Sequence, residues 1–413
     1  MADRTLQSRI CQSMQGVLLL FAVLAPCVAP GLPAAAAESA EDVLSPLVAT
    51  PVASPDPVLG ADGKTHLAYE IVLMNIASSA VAIDKVETID AANDAVLGTL
   101  DGEALTKMVR LNGGLKESEL PAGGSGVLFM DVTLAKDAAT PKTLRNRFTI
   151  KVATPPPPAS SSGADHDPSP EPPQEVTFTG DPLPVGPPAV VVAPPLKGPR
   201  WVIGGGCCTP YSYHRGATLP INGAIHVAER FAIDFVQLND KDMLYAGDMH
   251  KVEDYAFFGD EIYSVADGTV VATEGELPEQ VPGKLPEGAT IQMAAGNHVV
   301  VDIGQGRFAF YAHMQPGSLK VKVGDKVTTG QVLGLLGNTG NTDTPHLHFH
   351  VMDGPSPLLS NGLPFVFTAF TGQGQLTDEQ PLFTGGAVTI DKGALSGPHE
   401  NEMPLNDQVV SFP

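Results

Sequence analysis

Aromatic residues are scarce in this sequence. They make up 6% of its 413 residues, and there is a single tryptophan. Runs with the 3.6-residue period of an amphipathic helix are nearly absent as well, which argues against long helices. Glycine and proline, by contrast, are abundant, with 43 and 38 residues. Because this composition is typical of short strands joined by turns, we predict an all-β protein.

Basic residues are also few. The chain has 24 Lys and Arg against 46 Asp and Glu, which gives a formal net charge of −22 at pH 7. A surface of this sign repels nucleic-acid phosphates and anionic membrane surfaces, so we expect neither as a partner. The charge balance says little about the fold.

Long apolar runs are missing apart from one near the start, GVLLLFAVLAPCVAP. It is too short and too interrupted by proline to span a bilayer. Arg4 and Arg9 precede it, and the small residues of GLPAAAAES follow it. We therefore predict a signal peptide over residues 1–37, with cleavage after Ala37, and an exported protein, periplasmic or extracellular, with no membrane span in the mature chain.

Cysteine is too rare for a disulfide framework. Two of the four cysteines lie in the predicted signal peptide, and the remaining pair, Cys207 and Cys208, is adjacent. Neighbouring cysteines can close a small strained ring, pair with other molecules or stay free, and CC is not a usual zinc spacing. The sequence assigns this pair no role.

The composition divides the chain into a signal peptide (1–37), a β-sandwich-like domain (41–152), a Pro/Ser-rich linker (153–199), a second antiparallel β domain (200–370) and a C-terminal extension (371–413). Alternating apolar residues between turn signals define both domains. The linker cannot bury a core, although its last part could dock as an edge strand. The first domain shows no catalytic constellation, and we expect a role in adhesion or spacing. We expect the extension to wrap the second domain.

Three histidines alternate in the segment HLHFH of the second domain. On a strand, His346, His348 and His350 are predicted to share one face, about 6–7 Å apart. Such a row is either a solvated edge or a place for metal and proton chemistry. Two further strand-like segments, RFAIDF and FYAHM, contribute Asp234 and His313. One carboxylate and two or three imidazoles suit a hydrolytic zinc site, which needs three protein ligands and one open position.

These segments resemble the lysostaphin/LytM-type zinc metallopeptidases, family M23, over about residues 230–352. The resemblance is carried, in order, by ADGTVVATE, GNHVVVDIGQGRFAFYAHM and VKVGDKVTTGQVLGLLGNTGNTDTPHLHFHV. It implies an antiparallel β domain, a Zn²⁺ cofactor and endopeptidase activity on the peptide cross-links of bacterial peptidoglycan.

The resemblance also assigns roles, position by position. Asp234 and His348 correspond to zinc ligands. His346 corresponds to the base that takes a proton from the attacking water, and His313 to the histidine that stabilises the developing oxyanion. His350 stands where relatives often carry glutamate, and we expect it to be structural or to face solvent.

One position departs from the family pattern H-x-x-x-D. Its first residue, a zinc ligand in the family, is Arg230 here, and a guanidinium has no lone pair to offer a metal. A histidine from elsewhere could take its place. His214 in the loop YSYHRG is the better candidate, because His226 lies roughly 26 Å from Asp234 on a straight strand. The alternative is that no metal binds and Arg230 pairs with Asp234.

The sequence leaves three functions open. The first is an exported zinc metalloendopeptidase. The second is a degenerate family member that binds cell-wall peptides or activates a partner hydrolase, and Arg230 favours this hypothesis. The third is a secreted adhesin. We favour the enzyme because the other four matching positions carry the family's residue types.

Overall fold

The computed structural model describes residues 42–112, 118–154, 172–208 and 212–413. The predicted signal peptide and residues 155–171 of the predicted linker lie outside the described residues. Within the described ranges, no helix has the length and apolar character that crossing a membrane requires.

Strands dominate the described residues, and nearly all of them pair antiparallel, which confirms the all-β prediction. Two short α-helices, α1 (Gly102–Met108) and α2 (Gln380–Thr384), and two 3-10 turns, Val252–Asp254 and Ile291–Met293, accompany them. The strands are β1 (Leu47–Pro51), β2 (Pro57–Leu59), β3 (Lys64–Asn75), β4 (Val81–Asp90), β5 (Val96–Asp101), β6 (Val109–Leu111), β7 (Glu119–Leu120), β8 (Ser125–Ala135), β9 (Thr143–Val152), β10 (Gln174–Thr179), β11 (Leu183–Pro184), β12 (Val190–Val192), β13 (Gly198–Gly204), β14 (Leu219–Ile221), β15 (Ala224–His226), β16 (Ile233–Gln237), β17 (Glu261–Tyr263), β18 (Gly268–Glu274), β19 (Asn297–Gly304), β20 (Arg307–Met314), β21 (Lys326–Val327), β22 (Val332–Leu335), β23 (Leu347–Met352), β24 (Gly362–Leu363), β25 (Phe365–Phe367), β26 (Phe370–Leu376), β27 (Ile390–His399) and β28 (Gln408–Phe412).

The first part of the chain forms two sheets that share one apolar core. One sheet has the order β1-β3-β8-β6, with β2 also paired to β3. The other has the order β10-β9-β4-β5, with β7 paired to β4 and β11 to β9. Tyr69 and Leu128 from the first sheet meet Ile83 and Phe148 from the second in this core. Removing these side chains from water drives the two sheets together. We call these two sheets the N-terminal region.

The predicted linker, 153–199, is shorter than its composition suggested. Residues 174–179 and 183–184 form β10 and β11 against β9. Residues 190–192 form β12, which runs parallel to β25. Proline lacks an N–H but is tolerated at strand edges, so a Pro-rich stretch can still form short edge strands.

The second part of the chain forms an eleven-stranded sheet. Its order is β21-β18-β19-β20-β23-β16-β13-β28-β26-β27, with β24 also paired to β23. Strand β28 pairs with β13, with Val409 opposite Val202. The extension 371–413 therefore supplies β27, β28 and nearly all of β26 to this sheet.

Strand β23 lies in the middle of the large sheet, between β20 and β16. The register sets His348 directly opposite Asp234 on β16 and opposite Ala312 on β20. Because a slip of one residue would turn every side chain to the other face, this pairing fixes which residues meet.

The two faces of β23 differ in chemistry. Leu347, Phe349 and Val351 are fully buried in the main apolar core of the large sheet. His348 and His350 emerge on the opposite face, as alternation along a strand requires. The apolar face therefore anchors the strand that presents the histidines.

We expect Phe349→Ala to destabilise the protein. Phe349 is fully buried and packs against Tyr311 and Phe365, with ring centroids 5.2 and 5.1 Å away. Truncation leaves a cavity and should lower the free energy of unfolding by about 3–5 kcal/mol. Urea denaturation would measure this loss. Leu359→Ala, at a site that is 47% exposed, is the control and should change little; an equal loss in both variants would contradict the prediction.

Candidate metal centre

One carboxylate oxygen, Oδ1 of Asp234, is the point on which the candidate site converges. Three imidazole nitrogens lie close to it: Nδ1 of His348 at 2.9 Å, Nε2 of His214 at 3.2 Å and Nε2 of His346 at 3.3 Å. All four side chains are largely shielded from solvent. Little water therefore competes for these groups, and their charges interact strongly.

Pairing of strands and one loop bring the donors together. Asp234 and His348 are directly opposed on β16 and β23, so their side chains meet without a long reach. His214 enters from a loop. Its Nδ1 lies 3.1 Å from the carbonyl oxygens of both Gly205 and Ala232, to which an Nδ1–H can donate. That hydrogen bonding leaves Nε2 of His214 facing Asp234.

The electrostatics of the cluster favour positive charge beside Asp234. Burial disfavours the ionised carboxylate, but His214 and His346 hold the pKa of Asp234 well below its usual range. Burial also disfavours a charged imidazole at His214, yet the Asp234 carboxylate raises the pKa of His214 to about 9. A buried anion with neighbours of this kind is balanced either by protons or by a cation.

The donor set fits a zinc ion. Each of His214, Asp234 and His348 offers a ligand atom, and these atoms lie within 4.8 Å of one another. Ligand atoms placed about 2.0–2.1 Å from zinc at tetrahedral angles are about 3.3 Å apart, close to the separations from Asp234 Oδ1 described above. Two imidazoles and one carboxylate are typical of a catalytic zinc site, which keeps its fourth position open.

His350 contacts the imidazole of His348, the predicted metal ligand, on the nitrogen that faces away from Asp234. It is 1% exposed, so the expectation that it could face solvent is wrong. The reason is that Phe310 covers it, with ring centroids 4.9 Å apart. Nδ1 of His350 lies 3.0 Å from Nε2 of His348 and can accept its N–H. Such a bond fixes the tautomer that leaves Nδ1 of His348 free for a metal.

His346 and His313 lie side by side next to the metal donors. Their ring centroids are 4.5 Å apart. Nδ1 of His346 is 2.7 Å from the carbonyl oxygen of Thr344, and Nδ1 of His313 is 2.7 Å from that of Thr339. An Nδ1–H donated to each carbonyl leaves both Nε2 atoms for proton exchange with a substrate or water.

The two histidines differ in basicity. Burial, reinforced by the neighbouring His346 and His348, lowers the pKa of His313 well below its usual value. Burial acts in the same direction on His346, but Asp234 raises the pKa of His346 overall. His346 therefore holds a proton more readily than His313. The oxyanion role that the resemblance implies for His313 requires a proton on Nε2, which a developing negative charge would favour.

Arg230 does not enter the metal centre. Its Nη2 and Nε atoms lie 2.6 and 2.7 Å from Oε2 of Glu70 on β3. The alternative in which Arg230 neutralises Asp234 is therefore wrong, because Glu70 holds the guanidinium. His226 lies on β15 and is not in the metal-competent clusters of the described residues.

Two residues of the site were missed from the sequence. The Tyr213 hydroxyl donates to Oδ2 of Asp234 over 2.8 Å. Glu70 could have been found from the sequence. It interrupts the apolar run LAYEIVLM, and a charge buried in such a strand requires a partner. Cys207 and Cys208, which the sequence left without a role, are joined to each other by a disulfide.

Comparison with known proteins identifies the family of one segment of the chain. Residues 248–359 match the family model of peptidase family M23. This chain contains an M23 domain. The matched residues include His313, His346 and His348 but not Asp234 or His214. The N-terminal part of the metal centre therefore lies outside the matched segment.

Two relatives of the M23 domain have endopeptidase names, and each shares only part of its length with this chain. Peptidoglycan DD-endopeptidase ShyA of Vibrio cholerae is 34% identical over 104 residues, which are 25% of this chain and 20% of that protein. Glycyl-glycine endopeptidase ALE-1 of Staphylococcus capitis is 37% identical over 132 residues, 31% of this chain and 35% of that protein. The chain thus spans about a fifth and about a third of these relatives. Among solved structures, the catalytic domain of lysostaphin from Staphylococcus simulans is 23% identical and covers 40% of this chain and 88% of that one, with a TM-score of 0.23.

We expect His214→Ala to weaken zinc binding. Loss of a direct ligand should cost more than the roughly 10–100-fold in affinity that loss of an outer-shell partner costs. Metal analysis after dialysis and competition with a chelator would measure the change. His226→Ala is the matched control, because it removes an imidazole outside the cluster. Full zinc content in His214→Ala would exclude this ligand assignment.

A half-buried carboxylate supports the segment that carries Thr339. Oε2 of Glu279 accepts the N–H of Asn338 over 2.7 Å, and burial raises the pKa of Glu279 from 4.5 to about 7. Between pH 4.5 and 7 the folded protein therefore binds more protons at this site than the unfolded chain does. This group stabilises the fold at low pH, and its contribution is lost as the pH rises through about 7.

Glu279→Gln should remove that part of the pH dependence. We expect wild type to lose stability relative to the variant as the pH rises from 4.5 to 8, because ionisation of the half-buried Glu279 is unfavourable and Gln does not titrate. Urea denaturation across this range would measure it. Glu276→Gln, on an exposed neighbour, should leave the slope of the wild type unchanged. A slope that survives in Glu279→Gln would contradict the assignment.

Proposed function

We propose that this chain is an exported zinc metalloendopeptidase that cleaves peptide cross-links of bacterial peptidoglycan. The observation that carries the proposal is the convergence of His214 and His348 on Asp234, with His346 and His313 beside them. The M23 domain and the endopeptidase names of its relatives support the substrate class. Export rests on the composition of residues 1–37.

The metal site would hold the ion that activates the substrate and the attacking water. His214 Nε2, Asp234 Oδ1 and His348 Nδ1 would hold the ion, and His350 would keep His348 in the required tautomer. A zinc ion there would act as a Lewis acid that polarises the scissile carbonyl and makes water more acidic.

The two remaining histidines move protons. His346 is placed to take a proton from the attacking water at Nε2, while its Nδ1–H stays on the Thr344 carbonyl. His313 is placed to donate from Nε2 to the negative oxygen that forms on the substrate. Because its Nδ1–H stays on the Thr339 carbonyl, the Nε2 proton would come from solvent, and the developing negative charge would favour its uptake. Preorganised groups of this kind stabilise a transition state because they need no reorganisation during the reaction.

A second candidate function is a binding protein without catalysis. Arg230 in place of a ligand favours it, since a degenerate site would explain the substitution. The position of His214 favours the enzyme, because a third donor takes the place that Arg230 leaves. The two functions differ in metal content: the enzyme requires zinc that is lost in Asp234→Ala, and the binding protein does not.

We expect His346→Ala to abolish hydrolysis while zinc stays bound. Loss of a general base typically costs 10²–10⁴-fold in rate, and His346 is not one of the three proposed ligands. Release of soluble fragments from purified cell walls would be measured together with zinc content. His226→Ala should release fragments like wild type. Zinc-loaded wild type that releases nothing would favour the second candidate.

A further inference from the structure

A fully buried ion cluster joins the N-terminal region to the part of the chain that carries His214 and Asp234. Its centre is Glu70 on β3, which is 0% exposed. Arg230 contacts Oε2 of Glu70 as described above, and Nε of Arg215 lies 3.2 Å from Oε1. Both arginines are buried. Their two guanidiniums thus share one carboxylate that is shielded from bulk solvent.

Arg215 is held on several sides. Its Nη1 donates to the carbonyl oxygen of Cys208 over 2.8 Å. Its Nη2 donates to the carbonyl oxygens of Tyr69, at 3.2 Å, and of Met130. Tyr69 and Met130 are paired residues on β3 and β8. The guanidinium is therefore fixed to two strands of the N-terminal region at once.

Each arginine is close in sequence to a metal donor. Arg215 directly follows His214, and Arg230 precedes Asp234 by four residues. The loop 212–216 also has contacts within its own part of the chain: the Ser212 hydroxyl donates to the Gly205 carbonyl, and the Gly216 N–H donates to the Ser212 carbonyl over 3.0 Å. The described loop is thus tied at one end to the large sheet and at Arg215 to the N-terminal region.

The burial of the cluster makes this attachment strong. If Arg215 left Glu70, a guanidinium and part of a carboxylate would lose their charged partners in a site shielded from bulk solvent, which is strongly unfavourable. Conformations of the loop that withdraw Arg215 are therefore disfavoured. Because His214 directly precedes Arg215, those same conformations would carry its Nε2 away from Asp234.

We propose that Glu70 is a positioning residue of the metal centre. Through Arg215 and Arg230 the N-terminal region holds the loop 212–216 so that His214 presents Nε2 beside Asp234. The inference rests on the proposed function, since it takes His214, Asp234 and His348 as the metal site. It gives the N-terminal region a role beyond the adhesion or spacing expected from the sequence: metal affinity depends on its docking.

The test is the zinc affinity of the full chain carrying Glu70→Gln. This change removes the negative charge and keeps the shape of the side chain. We expect affinity to fall by about 10–100-fold, the range found for groups that orient a ligand. Competition with a chelator would measure it. Glu87→Gln is the matched control, because Glu87 pairs with Arg147 on the N-terminal region and does not contact the cluster.

A spectroscopic measurement separates positioning from general destabilisation. The absorption spectrum of the Co²⁺-loaded protein reports the ligand set of the metal. In Glu70→Gln it should shift towards the spectrum of His214→Ala, and in Glu87→Gln it should match wild type. If circular dichroism shows that Glu70→Gln does not fold, Glu70→Asp, which keeps the charge on a shorter side chain, should give the same shift.

The outcomes are distinguishable. A folded Glu70→Gln or Glu70→Asp protein with the zinc affinity and Co²⁺ spectrum of wild type would overturn the positioning role and leave the proposed function intact. A wild type that binds neither zinc nor Co²⁺ would overturn the proposed function and the positioning role together.

Discussion

The charge on Asp234 is the constraint around which the candidate site is organised. A carboxylate this far from solvent requires compensation, and three imidazoles provide it. Each imidazole has a second nitrogen that also needs a partner. For His214 these are carbonyls in its own part of the chain, and for His346 it is the Thr344 carbonyl. The loops around the site therefore take paths that balance the charge of Asp234 and provide hydrogen-bond partners for the imidazoles beside it.

The large sheet and the loops contribute to the site in different ways. Asp234 and His348 belong to paired strands, whose register and apolar faces hold them in place. His313, the last residue but one of β20, has a positive φ of 64°, a conformation in which the backbone leaves the regular pleat. His214 and His346 depend on turns outside the sheet. Two donors are therefore fixed by the core, and the others by hydrogen bonds that must be assembled locally.

The part of the site on strands could be predicted from the sequence, and the parts on loops and between regions could only be suggested. Alternation in HLHFH predicted the shared face of His348 and His350 on β23, whereas His346 precedes the strand, and the family resemblance located Asp234. His214 was proposed as a ligand because its loop is free to fold over the site and because His226 is too distant on a straight strand. Glu70 lies 160 residues before Arg230, and no local periodicity connects positions so far apart. Residues 174–179 and 183–184 of the predicted linker pair with β9, so strand pairing outweighs proline content there.

Arg230 is best understood together with His214. A ligand on a strand is held by the sheet, whereas a ligand on a loop needs other contacts to offset the conformational entropy of the loop. With arginine instead of histidine at position 230, the side chain is free to bind Glu70. Glu70 also binds Arg215, which is adjacent to His214, the proposed replacement ligand. The carboxylate of Glu70 therefore both binds the arginine at position 230 and supports the loop that carries His214. On this argument, an arginine at the first ligand position is compatible with a working metal site as long as Glu70 is in place.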